Sequence, residues 1–415
     1  MHHRLGKTMN DPIIQSLADL DFYKVSMAYL VWKKHKNVQV AYSFKNRTKG
    51  IDLKKHINQF ELIEEVSHVM SLRFTDTEIA YLRSRNLFCE EFLTDLKALQ
   101  LPPIDLVWHS DKDFDFIIKG SWWETIWWET LLLSIVNELY ARSCGVHPEK
   151  TPIIKKVEER LRPKIEGILE NPWIRFAEFG TRRRASASIQ DMIVWIMKNK
   201  CPDNIIGTSN VKLAQKYDLA PIGTMAHELF MAYSGIYQDD PDIGLVGSHN
   251  KVLRDWTDLY RGELSIALND TYGSDFFWRD LRSEQALVWK GWREDSGNPF
   301  IRIPQAINAL RAKGADPKTK TCVPSDSLNL RLIIALGNAY LQELGGMVFG
   351  WGTDLTFDIE DVQTISIVIK ITEASGYEVA KLSNNIEKAN GAQVAIDKAV
   401  KAFQYNCNYR EVCRS

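Results

Sequence analysis

The chain holds 415 residues, 45% of them hydrophobic and 25% charged, with a formal net charge of -1. That is the makeup of a globular protein with room for a sizeable core, and it excludes a protein built mainly to bind a polyanion, so any basic site has to be local. Six cysteines (Cys89, Cys144, Cys201, Cys322, Cys407 and Cys413) form no CxxC pair, and Met1 to Asn10 lack the apolar core of a secretory signal, so reduced thiols and a cytoplasmic location are expected. Taken in chain order, the alternation over 38–44 (VQVAYSF) predicts a strand, and helical periods cover 61–72 and 76–85. A second strand is expected at 115–119 (DFIIK). Residues 121–141 are the most apolar stretch, with Trp122, Trp123, Trp127 and Trp128, but Glu124, Glu129 and Glu138 interrupt it. A bilayer asks for roughly 20 uncharged residues, so this segment reads as one amphipathic helix packed in the core. Residues 152–169 alternate Lys and Glu and read as a solvated helix.

From about residue 174 a pattern repeats: a short apolar run, a polar or glycine cluster, then a helical stretch. The runs are 174–179, 204–207, 221–223, 264–268, 287–292, 321–323, 347–349 and 365–369. Alternating strand and helix signals predict a parallel sheet. Nearly every run ends in anion-binding or reactive residue types: GTRRR (180–184), GTSN (207–210), GTMAHE (223–228), NDTYG (269–273), REDSGNP (293–299), PSDS (324–327) and GWGTD (350–354). A solvated turn explains any one cluster. Seven in a row predict loops that converge on one mouth, as at the carboxyl face of an α/β barrel.

The clusters carry recognisable chemistry. Arg182, Arg183 and Arg184 are consecutive, so their side chains diverge and one or two face a ligand; guanidinium groups grip phosphate in a fork. Thr208, Ser209 and Asn210, and separately Gly350, Gly352 and Thr353, make donor-rich loops of the kind that cradle phosphate, although neither is a Walker A sequence. Asp295 and Asp326 each follow an apolar run, where a carboxylate pairs with an arginine, accepts from sugar hydroxyls or holds magnesium through water. His227 opens a helix beside Glu228, a carboxylate placed to orient it. Asp21, Tyr23 and Lys24 lie far upstream and on their residues alone read as surface groups before a helix.

In these segments the sequence resembles the nicotinate phosphoribosyltransferase family, in its bacterial form, from SLADLDFYKVSM (16–27) to VAKLS (379–383). EFGTRRR, GTSN, GTMAHE and the R-x-DSG loop stand in the family's order. The resemblance implies an irregular α/β barrel of the type II phosphoribosyltransferase kind, with an α+β accessory domain formed by N- and C-terminal segments. The expected division is an accessory domain at 1–150, a barrel at 151–360, and a segment at 361–415 that completes the barrel and packs on the accessory domain. It implies a homodimer with the active site at the interface, where Tyr23 reaches the partner's site and lies against the pyridine ring, with Phe179 on the other face. Arg293 would meet the nicotinate carboxylate or otherwise substrate phosphate, Arg182 the substrate's anionic groups, Asp295 and Asp326 the ribose hydroxyls, and Gly350, Gly352 and Thr353 the 5′-phosphate. His227 matches a histidine phosphorylated with ATP. The implied reaction joins nicotinate to phosphoribosyl pyrophosphate, with ATP and Mg2+ as cofactors. This chain departs from common family patterns at Asn298, Ser327, Asn329, Trp351 and Asn384. The competing expectations are a nicotinamide phosphoribosyltransferase and a barrel that binds the metabolite without turnover.

Overall fold

The computed structural model describes residues 11–110 and 113–411. Among them the strands are β1 (Gln39–Asn46), β2 (Asp105–Val107), β3 (Asp115–Ser121), β4 (Phe176–Glu178), β5 (Ile205–Thr208), β6 (Ala220–Pro221), β7 (Ile266–Leu268), β8 (Gly291–Glu294), β9 (Thr321–Pro324), β10 (Gly346–Met347), β11 (Phe349–Trp351), β12 (Ile367–Ala374) and β13 (Tyr377–Glu378). Cys413 and the first ten residues lie outside the described part.

The parallel half is short-stranded. β7, β8, β9 and β10 form one sheet and β6, β5, β4 and β11 another. β10 and β11 are separated only by Val348; one half pairs with β9 and the other with β4, so the two sheets run into each other through this strand. Between β6 and β7 the link is a side chain, with Thr224 Oγ1 donating to Ile266 O at 2.8 Å. β4 is buried at all its positions, as strands covered on both faces are. This is the mixed α/β architecture with parallel strands that the alternating pattern predicts.

The helices that follow these strands are capped by the polar residues at the strand ends. Ser186 Oγ accepts from Ile189 N (3.1 Å), Asn210 Oδ1 from Leu213 N (3.0 Å), Asn298 Oδ1 from Phe300 N (3.0 Å) and Asn329 Oδ1 from Leu332 N (2.9 Å). Each cap satisfies an orphan N–H of the first helical turn and is worth about 1 kcal/mol. Part of the polar patterning at strand ends is therefore structural.

The remaining strands form an antiparallel sheet in the order β13-β12-β1-β3-β2. β12 corrects one expectation: the run at 365–369 is not another parallel unit but pairs antiparallel with β1, joining Val40 to Ala374 and Asn46 to Ile367. The run at 287–292 is also split, since helix Ser283–Val288 takes its first residues and β8 begins only at Gly291. The tryptophan-rich segment is two helices, Trp122–Thr125 and Trp128–Ser143, and its four indoles are buried. Each ring of this size removes roughly 150–250 Å² from water. Helix Thr151–Glu170 covers the predicted solvated stretch. No helix among the described residues is long and apolar enough to cross a membrane.

Candidate active site

Helix Phe22–Lys34 enters against the carboxyl end of β5. Phe22 N donates to Ser209 O at 2.6 Å, and Ser209 Oγ donates to Asp21 Oδ1 at 2.5 Å. This seats Tyr23 against Gly223, where a Cβ would come within 2.7 Å of Tyr23 N; only glycine permits the approach. Asp21 and Lys24 are thus fully buried, which corrects their reading as surface residues.

A cavity of about 520 Å³ opens at the strand ends. Its walls bring together Tyr23, Phe179, Arg182, Ser209, Arg293, Asp295, Asp326, Gly350, Gly352 and Thr353, from segments more than 300 positions apart in the chain. Tyr23 stands in the cavity of its own chain, where the Arg182 guanidinium lies 5.7 Å from its ring centre. Gly350 is small because Phe179 packs on it: a Cβ there would lie 2.5 Å from the Phe179 ring. Trp351, between the two glycines of this loop, points away from them into the core, where it is fully buried and its Nε1 donates to Asp354 Oδ2 at 2.9 Å. Strand alternation thus places this bulky ring without obstructing the cavity.

The three arginines divide as diverging side chains must. Arg182 and Arg183 line the cavity, and Arg182 Nη1 lies 3.2 Å from Asp21 Oδ2. Arg184 turns inward and grips Asp19 with both terminal nitrogens, at 2.6 and 2.9 Å. Thr208 and Asn210 are not among the lining residues. Thr208 Oγ1 donates to the buried Glu178 at 2.6 Å, and Asn210, besides capping its helix, donates to Asp19 at 2.7 Å.

Beside this cavity lies a smaller one, about 80 Å³, which shares Tyr23, Arg182, Arg293, Asp295 and Asp326 with it and contains His227. His227 Nε2 lies 3.1 Å from Asp295 Oδ2 and 3.7 Å from Asp270 Oδ1, and Nδ1 lies 3.0 Å from Thr271 Oγ1. Burial, reinforced by Lys381, pushes the imidazole down to about 4 against the pull of Asp270 and Asp295. It is therefore neutral at pH 7. Burial works to raise the Asp295 carboxyl, but Arg293, 3.3 Å away, and His227 hold it well below the usual carboxylate range. Glu228 does not orient His227. Neighbours on a helix point roughly 100° apart, and Glu228 accepts instead from Tyr42 and Trp122, each at 2.7 Å, and from Lys24.

The smaller cavity is rich in cations that the strand-end clusters do not contain: Arg47, Lys370, Lys381 and Lys388. Lys388 Nζ lies 2.6 Å from Asp326 Oδ1 and Lys370 Nζ 2.6 Å from Glu129 Oε1. Each sits alone in its own segment, so no local motif marks it. The histidine of helix Gly244–Tyr260, His249, is buried and pairs with Asp280 at 2.6 Å. Asn384 is also buried, its Nδ2 donating to Ser274 Oγ at 2.6 Å.

Fold and cavity together define a mixed α/β protein whose strand ends and neighbouring segments set guanidinium and ammonium groups against carboxylates around a cavity that also carries the Tyr23 and Phe179 rings, a site for a small anionic ligand. The family model for the nicotinate phosphoribosyltransferase (NAPRTase) family matches residues 174–407, and that for the N-terminal domain of the same family matches residues 18–137. The chain belongs to the nicotinate phosphoribosyltransferase family. Among solved structures, it is similar to nicotinate phosphoribosyltransferase from Vibrio cholerae, with 30% identity, a TM-score of 0.88, and coverage of 96% of this chain and 95% of that one. It is similar to the enzyme from Porphyromonas gingivalis (28% identity, TM-score 0.85, 94% and 100% coverage). A putative nicotinate phosphoribosyltransferase from Saccharomyces cerevisiae gives 29% identity, a TM-score of 0.84, and coverage of 96% and 100%.

Proposed function

We propose that this chain forms nicotinate mononucleotide and pyrophosphate from nicotinate and phosphoribosyl pyrophosphate, in NAD synthesis, and couples the reaction to ATP hydrolysis through phosphorylation of His227. The observation that carries the reading is the joining of an aromatic slot and a cation-lined annex at Arg182, Arg293 and Asp295. The pyridine ring lies between Tyr23 and Phe179, with Arg293 facing its carboxylate. The ring nitrogen attacks C1 of the ribose as pyrophosphate leaves, so positive charge grows on the sugar and negative charge on the leaving group. Asp295 and Asp326 hold the ribose hydroxyls and offset the sugar charge. Arg182 and the annex lysines receive the diphosphate, and Ser209 with the Gly350, Gly352 and Thr353 loop receives the remaining phosphate. Fixed charges of this kind act without reorganising at the moment of reaction.

His227, Asp270 and Asp295 bring their ligand atoms within 4.8 Å of one another. Magnesium takes oxygen ligands and keeps several waters. One vertex here is an imidazole nitrogen, with Arg293 and Lys381 crowding the carboxylates, so the cluster does not suit that ion. In the proposed reaction magnesium enters on the phosphates of the substrates. The homodimer implied by the family is tested by sedimentation of the active protein.

The test is a product assay with nicotinate, phosphoribosyl pyrophosphate, magnesium and ATP. Nicotinate mononucleotide is the expected product, formed in clear preference to the nicotinamide product and stimulated by ATP. Equal or better use of nicotinamide, or binding without pyrophosphate release, overturns the proposal. His227→Ala is expected to retain some ribosyl transfer while losing ATP hydrolysis and ATP stimulation.

A further inference from the structure

The NDTYG cluster that follows β7 supplies a residue not yet given a function, Thr271. It is fully buried, and its carbonyl accepts from Leu382 N (2.8 Å) and Ser383 N (3.2 Å), which fixes its backbone. Its hydroxyl lies 3.0 Å from His227 Nδ1. On the other side of the ring, two carboxylates face Nε2, and Asp270 Oδ1 has no hydrogen-bond partner of its own. Two anions at one nitrogen draw the imidazole proton to Nε2. Nδ1 then carries the lone pair, and Thr271 donates to it. That tautomer cannot use Nε2 as a nucleophile. Nδ1 meanwhile looks onto a buried hydroxyl, whereas Nε2 is on the side of Asp295, which lines the annex.

Attack through Nε2 requires the proton on Nδ1, and the group facing Nδ1 must then accept. A hydroxyl both donates and accepts. We propose that Thr271 is a positioning residue for His227, whose hydroxyl holds Nδ1 in both tautomers and so presents Nε2 to the phosphoryl donor. The proposal rests on the phosphohistidine reading above. In the step itself the Nε2 lone pair bonds to the γ-phosphorus of ATP. The bond from that phosphorus to the bridging oxygen breaks, and its electron pair leaves with ADP. The Nδ1 proton stays on the ring, donated to Thr271 Oγ1. Groups that orient a functional histidine from behind typically matter by about 10–100-fold.

The full chain with 15N-labelled histidine tests the resting geometry: without substrates, the spectrum of His227 should show Nε2–H with Nδ1 unprotonated, and an Nδ1 signal that is identical in Thr271→Val overturns the proposal. Thr271→Val keeps the shape and removes the hydroxyl. Uptake of 32P from γ-labelled ATP onto His227 should slow about tenfold or more in this variant, and Thr271→Ser should restore it. Uptake by Thr271→Val at the wild-type rate overturns the role of Thr271 while leaving phosphohistidine intact. A wild-type chain that takes no label on His227 overturns the parent reading and this proposal with it.

Discussion

Two groups of buried charge lie within a few residues of each other in this protein, and they are built on opposite terms. Beneath helix Phe22–Lys34, Lys24 is held between Glu129, at 2.8 Å, and Glu228. Glu228 also accepts from Tyr42 and Trp122, and Glu129 from Lys370. Around the cavity charged groups stand incompletely paired: Arg183 Nε and Arg293 Nε in its walls, and Asp270 Oδ1 beside His227, are buried with no hydrogen-bond partner. A buried polar group without a partner costs about 1–3 kcal/mol, and more when charged. The saturated network fixes where helix Phe22–Lys34, and hence Tyr23, sits. The unsaturated one keeps capacity for a charged ligand. Depth alone does not separate the two kinds of charge, and an unpaired atom marks capacity only where it faces the cavity, since Arg184 Nε, turned inward toward Asp19, is also buried without a partner.

Removing Lys24 tests the saturated side and should have the largest effect. Lys24→Met leaves Glu228 with neutral donors only, and breaking one member of a buried pair costs about 3–5 kcal/mol. Denaturant unfolding should show that loss, and Lys24→Met combined with Glu228→Gln should recover much of it. A single-variant loss under about 1 kcal/mol would mean that the network is not what holds the helix. Asp295→Asn tests the other side. It removes a charge the cavity needs and the fold does not, so the transition temperature should barely move. Ribosyl transfer should fall about 10²–10³-fold, the usual cost of one preorganised contact. A fall of less than tenfold would remove Asp295 from the chemistry.

The sequence shows the unsaturated side far better than the saturated one. Arg182, Asp295, Asp326 and the GWGTD loop are visible because each follows a short apolar run, and the convergence of strand ends follows from parallel pairing. Asp21 and Lys24 are misread because charged residues before a helix are ordinarily solvated; Glu228, the partner of Lys24, is 204 positions away. β12 looks like one more strand of the repeat, since periodicity reports a strand and not its neighbour. Its partner β1 lies at the other end of the chain. Lys370 and Lys388 belong to no motif and Lys381 is one residue of VAKLS, so their meeting exists only in three dimensions. For Asn298 and Asn329 a signal is present, because asparagine directly before Pro-Phe or a leucine-rich run is a helix cap.

Glu294, the last residue of β8, is a buried carboxyl that is only half satisfied. Its Oε1 accepts from Asn269 (2.9 Å) and Trp292 (2.7 Å), while Oε2 has no partner. Burial raises it to about 7 from an ordinary 4.5, against those two hydrogen bonds. The folded chain therefore holds this proton more tightly than the unfolded chain. The resulting stability is full below about pH 4.5 and is lost as pH rises through 7. His227 and His35, both lowered to about 4 mainly by burial, act in the opposite direction, adding stability as pH rises from 4 to 6.5. The difference between wild type and Glu294→Gln isolates the carboxyl. The variant should match wild type at low pH and exceed it by at most about 3 kcal/mol above pH 7. A variant that is less stable at every pH would show that Glu294 is held as a structural anion.

The smallest expected effect concerns Lys381, where the two kinds of charge meet. Lys381 is buried, and burial lowers it to about 8 although Asp270 and Asp295 pull it upward. It lines the annex proposed for the diphosphate. At pH 7 the ammonium is mostly present; about one unit above 8 it is mostly neutral, and an anion in the annex loses one cation. Affinity for inorganic pyrophosphate, measured by calorimetry, should therefore fall a few-fold across pH 8. Free pyrophosphate gains its own last negative charge in the same alkaline range, which strengthens binding, so the fall due to Lys381 is read as the difference between wild type and Lys381→Arg. His227, at about 4, is neutral throughout this range. Lys381→Arg keeps its charge above pH 12 and should abolish the fall without abolishing binding. An unchanged fall in that variant would move the titrating group elsewhere and leave Lys381 as part of the saturated frame.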